Sequence, residues 1–352
     1  MKRKILFSVV VWGMLFGILE IVVRVHHAAT GSGSERARAS TFVPNPFLVY
    51  AGNPEHTSHG PQGFRGDAVY SPDHEAFRIV CLGGSSTYGT EVESGDSYPV
   101  RLEDELRARV GDGVEVVNAG LAAYSTPNLI SQLSLRAAHL DPQLALFYVG
   151  YNDIANRILY EDFETDYSHA QKPWQMPEMP FWQHSLLLDR IGTRLGIASR
   201  RNPHFQKVTF RPHAGDPHEN WEGSSSQAFR RNLKSLVGIA RAHGITPVFV
   251  TQATDFENHP MQGSYAGLNE LWTGAVEEYT EILREVSESL GVALVEVREP
   301  MTNRAEFFAD SIHMNAAGNA ERARLIAASL DAQGLLPDAG APEPTLRISA
   351  SQ

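Results

Sequence analysis

From residue 77 onward, short apolar runs alternate with longer stretches whose apolar residues recur at helical spacing. Ile79-Val80-Cys81-Leu82 is followed by a helical pattern over 98–110 and by Val114-Glu115-Val116-Val117. Then come a helix over 128–140, an apolar run at 144–149, a helix over 226–243, a run at 247–251, a helix over 268–290 and a last run at 292–297. Uninterrupted apolar strands belong inside a sheet covered on both faces, and helices between them let neighbouring strands run parallel through right-handed crossovers. The chain therefore reads as an α/β fold with a central parallel sheet, and functional side chains are expected at the carboxyl ends of its strands.

Four stretches depart from this rhythm. Lys2, Arg3 and Lys4 precede an apolar run over 5–25 that, as a helix, reaches about 30 Å, the thickness of a bilayer's hydrocarbon core. Glu20 and Arg24 interrupt its last two turns but stand four apart, the spacing of a helical ion pair. The run is expected to be a membrane anchor over 1–27. A cleaved signal peptide is the competing reading, although the best small-residue site, near Ala28 and Ala29, has His27 where a small residue is wanted. A core helix is the third. With the basic cluster ahead of the run, the N-terminus is expected in the cytoplasm and the body outside it, periplasmic or extracellular, or secreted if the run is cleaved.

Residues 28–40, with Gly31-Ser32-Gly33-Ser34 at their centre, read as a flexible linker, and 337–352 as a flexible tail. The body between them, 41–336, contains an insertion over 155–223 that is too long for a simple connection and carries Trp174, Phe181, Trp182 and Trp221. It is expected to be either a lid or substrate-binding element, or a packing appendage whose aromatics cover the sheet or touch the membrane.

Charge and cysteine content narrow the function classes. A net charge of −11, from 41 acidic and 30 basic residues, argues against the basic surface that backbone-driven nucleic-acid binding needs. The single cysteine, Cys81, allows no intrachain disulfide and no cysteine-rich metal site, and its place in an apolar run marks it as a buried small hydrophobe.

The chemistry-bearing residues sit where the strands end. The first apolar run leads into Gly83-Gly84-Ser85-Ser86-Thr87-Tyr88-Gly89, a turn of small residues that would expose Ser85 as a nucleophile. A phosphate-cradling turn is the other reading, but no P-loop lysine follows the glycines and the Rossmann spacing is absent. Thr87 also stands where the Gly-x-Ser-x-Gly elbow needs a second glycine. Asp310-Ser311-Ile312-His313 places a carboxylate three residues before an imidazole, so Asp310 can fix the tautomer of His313 and leave Nε2 to take the serine proton. Asn118-Ala119-Gly120 and Gly150-Tyr151-Asn152-Asp153 end the second and third strands. There the Gly120 N–H, the Asn152 amide and the Ser85 N–H could face a developing oxyanion. Taken singly, each of these segments is ordinary turn or cap chemistry.

In this order, the four segments resemble the SGNH/GDSL hydrolase superfamily over about residues 77–330, with Gly84 where the name-giving motif has Asp. The resemblance implies a three-layer α/β/α flavodoxin-like domain, here with an N-terminal transmembrane helix. It also implies no cofactor or metal, Ser85, Asp310 and His313 as catalytic residues, and Ser85, Gly120 and Asn152 as the oxyanion hole. The expected function is a serine esterase that removes an acyl group, such as a small one on a carbohydrate or lipid, through a serine ester. The alternatives are an O-acyltransferase acting on an exported or cell-surface polysaccharide, and a non-catalytic glycan-binding or scaffold protein. Gln62-Gly63-Phe64-Arg65-Gly66 also resembles a segment of anchored bacterial members, and is expected either to close over the sheet edge or to be a structural turn with Arg65 in a salt bridge.

Overall fold

The computed structural model describes residues 2–30, 40–171, 185–195, 211 and 213–337. The centre of the expected linker, Trp174, Phe181 and Trp182 of the insertion, and the tail from 338 lie outside the described residues. In chain order, the long helix α1 (Lys2–Thr30) precedes a small antiparallel hairpin, β1 (Phe42–Asn45) and β2 (Val49–Gly52). The body proper then runs β3 (Phe77–Gly83), α2 (Ser85–Tyr88), α3 (Tyr98–Val110), β4 (Val114–Asn118), α4 (Thr126–Gln132), β5 (Leu144–Tyr148) and α5 (Tyr151–Ile158). After α6 (Leu186–Arg194) and α7 (Pro217–Gly223) come α8 (Gln227–Ala242), β6 (Thr246–Val250), α9 (Asn269–Leu290), β7 (Ala293–Val295), α10 (Arg298–Met301) and α11 (Ala316–Ala332).

The five strands form one parallel sheet in the order β4-β3-β5-β6-β7. Alternation along the strands divides the apolar residues between two cores. Val80, Leu82, Ala145 and Phe147 pack on one side with residues of α4, α8 and α9, whereas Ile79, Cys81, Leu144 and Leu146 pack on the other with α3 and α11. Helices on both faces explain why the strands are apolar throughout, and the result is a three-layer α/β/α fold of flavodoxin-like strand order. That order reverses between β3 and β5, and a crevice opens there at the strand ends.

Two elements are shorter than the sequence pattern suggests. The helix expected over 128–140 is α-helical only to Gln132 and then passes through a wide π turn and a final tight turn. Ser134 Oγ donates back to the Ile130 carbonyl in this stretch, a bond that bends helices. The last strand ends at Val295, because Thr251 Oγ1 accepts from the N–H groups of Val297 and Arg298 and turns the chain into α10.

Helix α1 contains a 24-residue span, Arg3–His26, that is long and apolar enough to cross a membrane and is not buried against the body. Arg24 Nε donates to Glu20 Oε1 at 2.8 Å, as their spacing predicts. The segment 62–66 runs beside the edge strand β4, with Arg65 N–H bonded to the Asn118 carbonyl. The Arg65 guanidinium lies over the Tyr88 ring and donates to Tyr88 Oη and the Val92 carbonyl.

Candidate active site

Strand β3 stops at Gly83, and Ser85 opens the one-turn helix α2. Its N–H is among those that a first helical turn leaves without an intrahelical partner. The two glycines before it are required by close approach. A Cβ on Gly83 would stand 2.2 Å from Thr87 Oγ1, and one on Gly84 would stand 2.3 Å from Asn152 Nδ2.

The C-terminal loop brings a carboxylate and an imidazole to this serine across more than two hundred residues of chain. Asp310 Oδ1 accepts from the N–H groups of Ile312 and His313 at 2.9 and 2.8 Å, which folds 310–313 into a tight Asx turn. Asp310 Oδ2 accepts from His313 Nδ1 at 2.7 Å, and His313 Nε2 lies 2.8 Å from Ser85 Oγ. Burial alone would raise the Asp310 carboxyl, but the His313 hydrogen bond and charge and the two N–H groups outweigh it and hold it below the ordinary carboxylate range. An ionised carboxylate only accepts, so the Nδ1 proton belongs to His313 and Nε2 faces the serine as the acceptor. Ser86 Oγ donates to the Ile312 carbonyl and Asp255 N–H to the Ser311 carbonyl, so the loop is fixed from two sides.

Asn152, at the start of α5, donates from Nδ2 to the Tyr124 carbonyl at 2.8 Å and still has a second amide proton. Residues Gly84, Ser85, Tyr124, Tyr151, Asn152 and Gln252 share one cleft. Gly120 packs behind the Ser85 turn, where a Cβ would stand 2.6 Å from the Tyr88 nitrogen. Its own N–H donates to Asn118 Oδ1 at 3.1 Å. The structure thus brings Ser85, Asn152, Asp310 and His313 together, while the Gly120 donor is engaged by its neighbour.

Several supporting residues escaped the sequence reading. Gln252 Oε1 accepts from the Tyr151 N–H and orients the first turn of α5; its place just past β6 was the available signal. The Tyr124 carbonyl that holds Asn152 is itself set by the N-terminal hairpin. Tyr124 Oη donates to the Tyr50 carbonyl at 2.6 Å, and Tyr50 Oη donates to that of Ala122. Arg322 is buried with its guanidinium over the rings of Tyr98 and Tyr148, and it donates to the Ser86 carbonyl at 2.9 Å behind the Ser85 turn. Nothing in the local sequence of α11 marks Arg322 out. Asp153 is fully buried, caps α4 by accepting from the Thr126 N–H and hydroxyl, and is pushed up to about 6 by that burial. Cys81 is also buried, which pushes its thiol up to about 12.

Among solved structures, the chain is similar to a lipase/acylhydrolase from Enterococcus faecalis, at 14% identity over 73% of this chain and 96% of that one, with a TM-score of 0.45. It is similar also to the psychrotrophic esterase EstA from Pseudoalteromonas sp., at 12% identity over 74% and 100% of the two chains and a TM-score of 0.45. A GDSL-like lipase from Bacteroides thetaiotaomicron shares 11% identity over 74% and 89%, with a TM-score of 0.42. No curated protein matches the chain. Residues 81–321, which run from within β3 to within α11, match the GDSL-like Lipase/Acylhydrolase family. The chain belongs to that family, the SGNH/GDSL hydrolases, and is a hydrolase of ester bonds.

Proposed function

We propose that this protein is a serine esterase in which Ser85 is the nucleophile, His313 the general base and acid, and Asp310 the residue that orients His313. The observation that carries the reading is the unbroken chain from Asp310 Oδ2 through His313 to Ser85 Oγ, with contacts of 2.7 and 2.8 Å. His313 Nε2 takes the hydroxyl proton as Ser85 Oγ attacks an ester carbonyl, and the carbonyl π electrons move to oxygen. The Ser85 N–H and the second amide proton of Asn152 bind that oxyanion; Gly120 joins them only by giving up its bond to Asn118. Collapse breaks the bond to the alcohol, which leaves with the proton from His313. Water then repeats the sequence on the serine ester, with His313 as base, and releases the acid.

The body at 41–336 is the catalytic unit, carried by an anchor that lies within α1 and joined to it by the residues that follow Thr30. The basic residues Lys2, Arg3 and Lys4 favour a cytoplasmic N-terminus and an extracytoplasmic active site. A substrate reached there is a small acyl group on a carbohydrate or lipid. The test is release of p-nitrophenol from p-nitrophenyl acetate by the full chain in detergent. Ser85→Ala and His313→Ala should each lower turnover by about a thousandfold or more, and Ser85→Ala should abolish labelling by a fluorophosphonate. Equal rates in all three proteins would sink the assignment.

A further inference from the structure

Glu20 is a carboxylate in a helix that is otherwise fit to lie in hydrocarbon, and three of its four partners come from outside that helix. At 1.5 Å per residue it lies about 6 Å inward of Arg24 and roughly 22 Å from Ile5, close to where the bilayer's apolar core ends. An ionised group at that depth needs donors. Arg24 supplies one, and the other three belong to the start of α6 in the insertion: Ser185 Oγ at 2.7 Å, Leu186 N–H at 3.0 Å and Leu187 N–H at 2.9 Å. The relation is reciprocal. The first N–H groups of α6 need acceptors where water is scarce, and the anchor helix provides them.

The rest of α6 suits that location. Leu187, Ile191 and Leu195 follow one another at intervals of four, with the Leu195 N–H still bonded to the Ile191 carbonyl, so they share one stripe. Ile191 is 45% exposed and Leu195 66%, more than scattered core residues would be. Arg190 and Arg194 each follow a stripe residue by three positions and flank the stripe. Apolar residues bordered by arginines, at the level where a spanning helix leaves the hydrocarbon, make an interfacial helix that buries its stripe among acyl chains while the guanidinium groups reach phosphates.

From this geometry we infer that α6 is a second membrane contact, lying in the surface of the same bilayer that α1 crosses and held there by Glu20. The inference rests on the reading of α1 as a membrane anchor. The insertion that carries α6 springs from α5, which holds Asn152, so the bilayer contact and the candidate active site are linked through one stretch of chain.

The test uses the full chain, with Cys81→Ala, reconstituted in phosphatidylcholine vesicles that contain doxyl-labelled lipid. A fluorescent label is placed at one of three sites, through Ile191→Cys in α6, Leu15→Cys in α1, or Leu135→Cys, which is 55% exposed on the body. Labels at 15 and 191 should be quenched by the lipid to a comparable extent, and the label at 135 only by aqueous iodide. Adding Glu20→Ala should lower lipid quenching at 191 and leave it unchanged at 15. Quenching at 15 with none at 191 overturns the inference and leaves the anchor intact; quenching at neither site overturns both. A label at 191 shielded from lipid and iodide alike would show the stripe covered by protein, a second copy included, and would also overturn it.

Discussion

Two aspartate–histidine pairs stand at the carboxyl end of the sheet, and one of them faces a serine, Ser85. In both, a carboxylate oxygen lies 2.7 Å from a histidine Nδ1: Asp310 with His313, and Asp255 with His259. Burial runs in opposite directions in the two pairs. Asp255 is fully buried and its histidine is partly exposed, whereas Asp310 is half exposed and its histidine is more deeply covered. Asp255 spends its other oxygen on the Asn258 N–H and side chain, and so closes a turn. Asp310 spends its other oxygen on the N–H groups of Ile312 and His313, and so aims the imidazole at Ser85. A carboxylate beside an imidazole is therefore not a catalytic signal by itself. What distinguishes the pair is what the far ring nitrogen meets.

Exchanging each aspartate for asparagine sharpens this contrast most. Asp310→Asn presents an amide N–H to His313 Nδ1, forces the wrong tautomer, and should lower kcat on p-nitrophenyl acetate by about a thousandfold to ten-thousandfold with little change in KM. Gly84→Ala comes next. Its Cβ would collide with Asn152 Nδ2 and push that donor aside, so kcat should fall about a hundredfold while fluorophosphonate still labels Ser85. Retained kcat in Gly84→Ala would remove Asn152 from the oxyanion site.

The counterpart change, Asp255→Asn, should leave kcat within severalfold of the parent and instead lower unfolding stability by about 1–3 kcal/mol, read from urea denaturation. A large fall in kcat with unchanged stability would erase the distinction between the two pairs. The smallest expected effect concerns another carboxylate, the fully buried Asp153. Its folded value of about 6 lies above its ordinary 3.8, so the folded state holds the extra proton between them and stability falls as pH rises through that window. Asp153→Asn removes this dependence. The melting temperature of the variant relative to the parent should therefore move in the variant's favour as pH rises from about 4 to 7, and a constant gap would contradict the buried assignment.

The strands, the α/β class and the four site segments were legible in the chain because each rests on local grammar. Apolar runs encode β3, β4, β5 and β6, and Gly, Asn and Asp at their ends encode turns. The hairpin β1–β2 was not legible, since four-residue strands with Pro44 inside one of them carry no periodic signal. Helix α11 was not legible either, because its buried face is made of Gly318, Asn319, Arg322, Ala323 and Ala327 beside Ile326 and Leu330 and carries little apolar signal.

Sequence by itself determined the layered sheet, the apolar N-terminal helix and the residue types at each strand end, because propensity and patterning act over a few neighbouring residues. Tertiary structure alone decided which imidazole meets Ser85, that Gly120 gives its N–H to Asn118, that Tyr50 braces the carbonyl holding Asn152, and that Arg322 lies behind the Ser85 turn. Apart from the Gly120–Asn118 bond, those relations join residues far apart in the chain, by as many as 236 positions for Arg322 and Ser86. They depend on strand order and on the direction of each bond, neither of which any local pattern encodes.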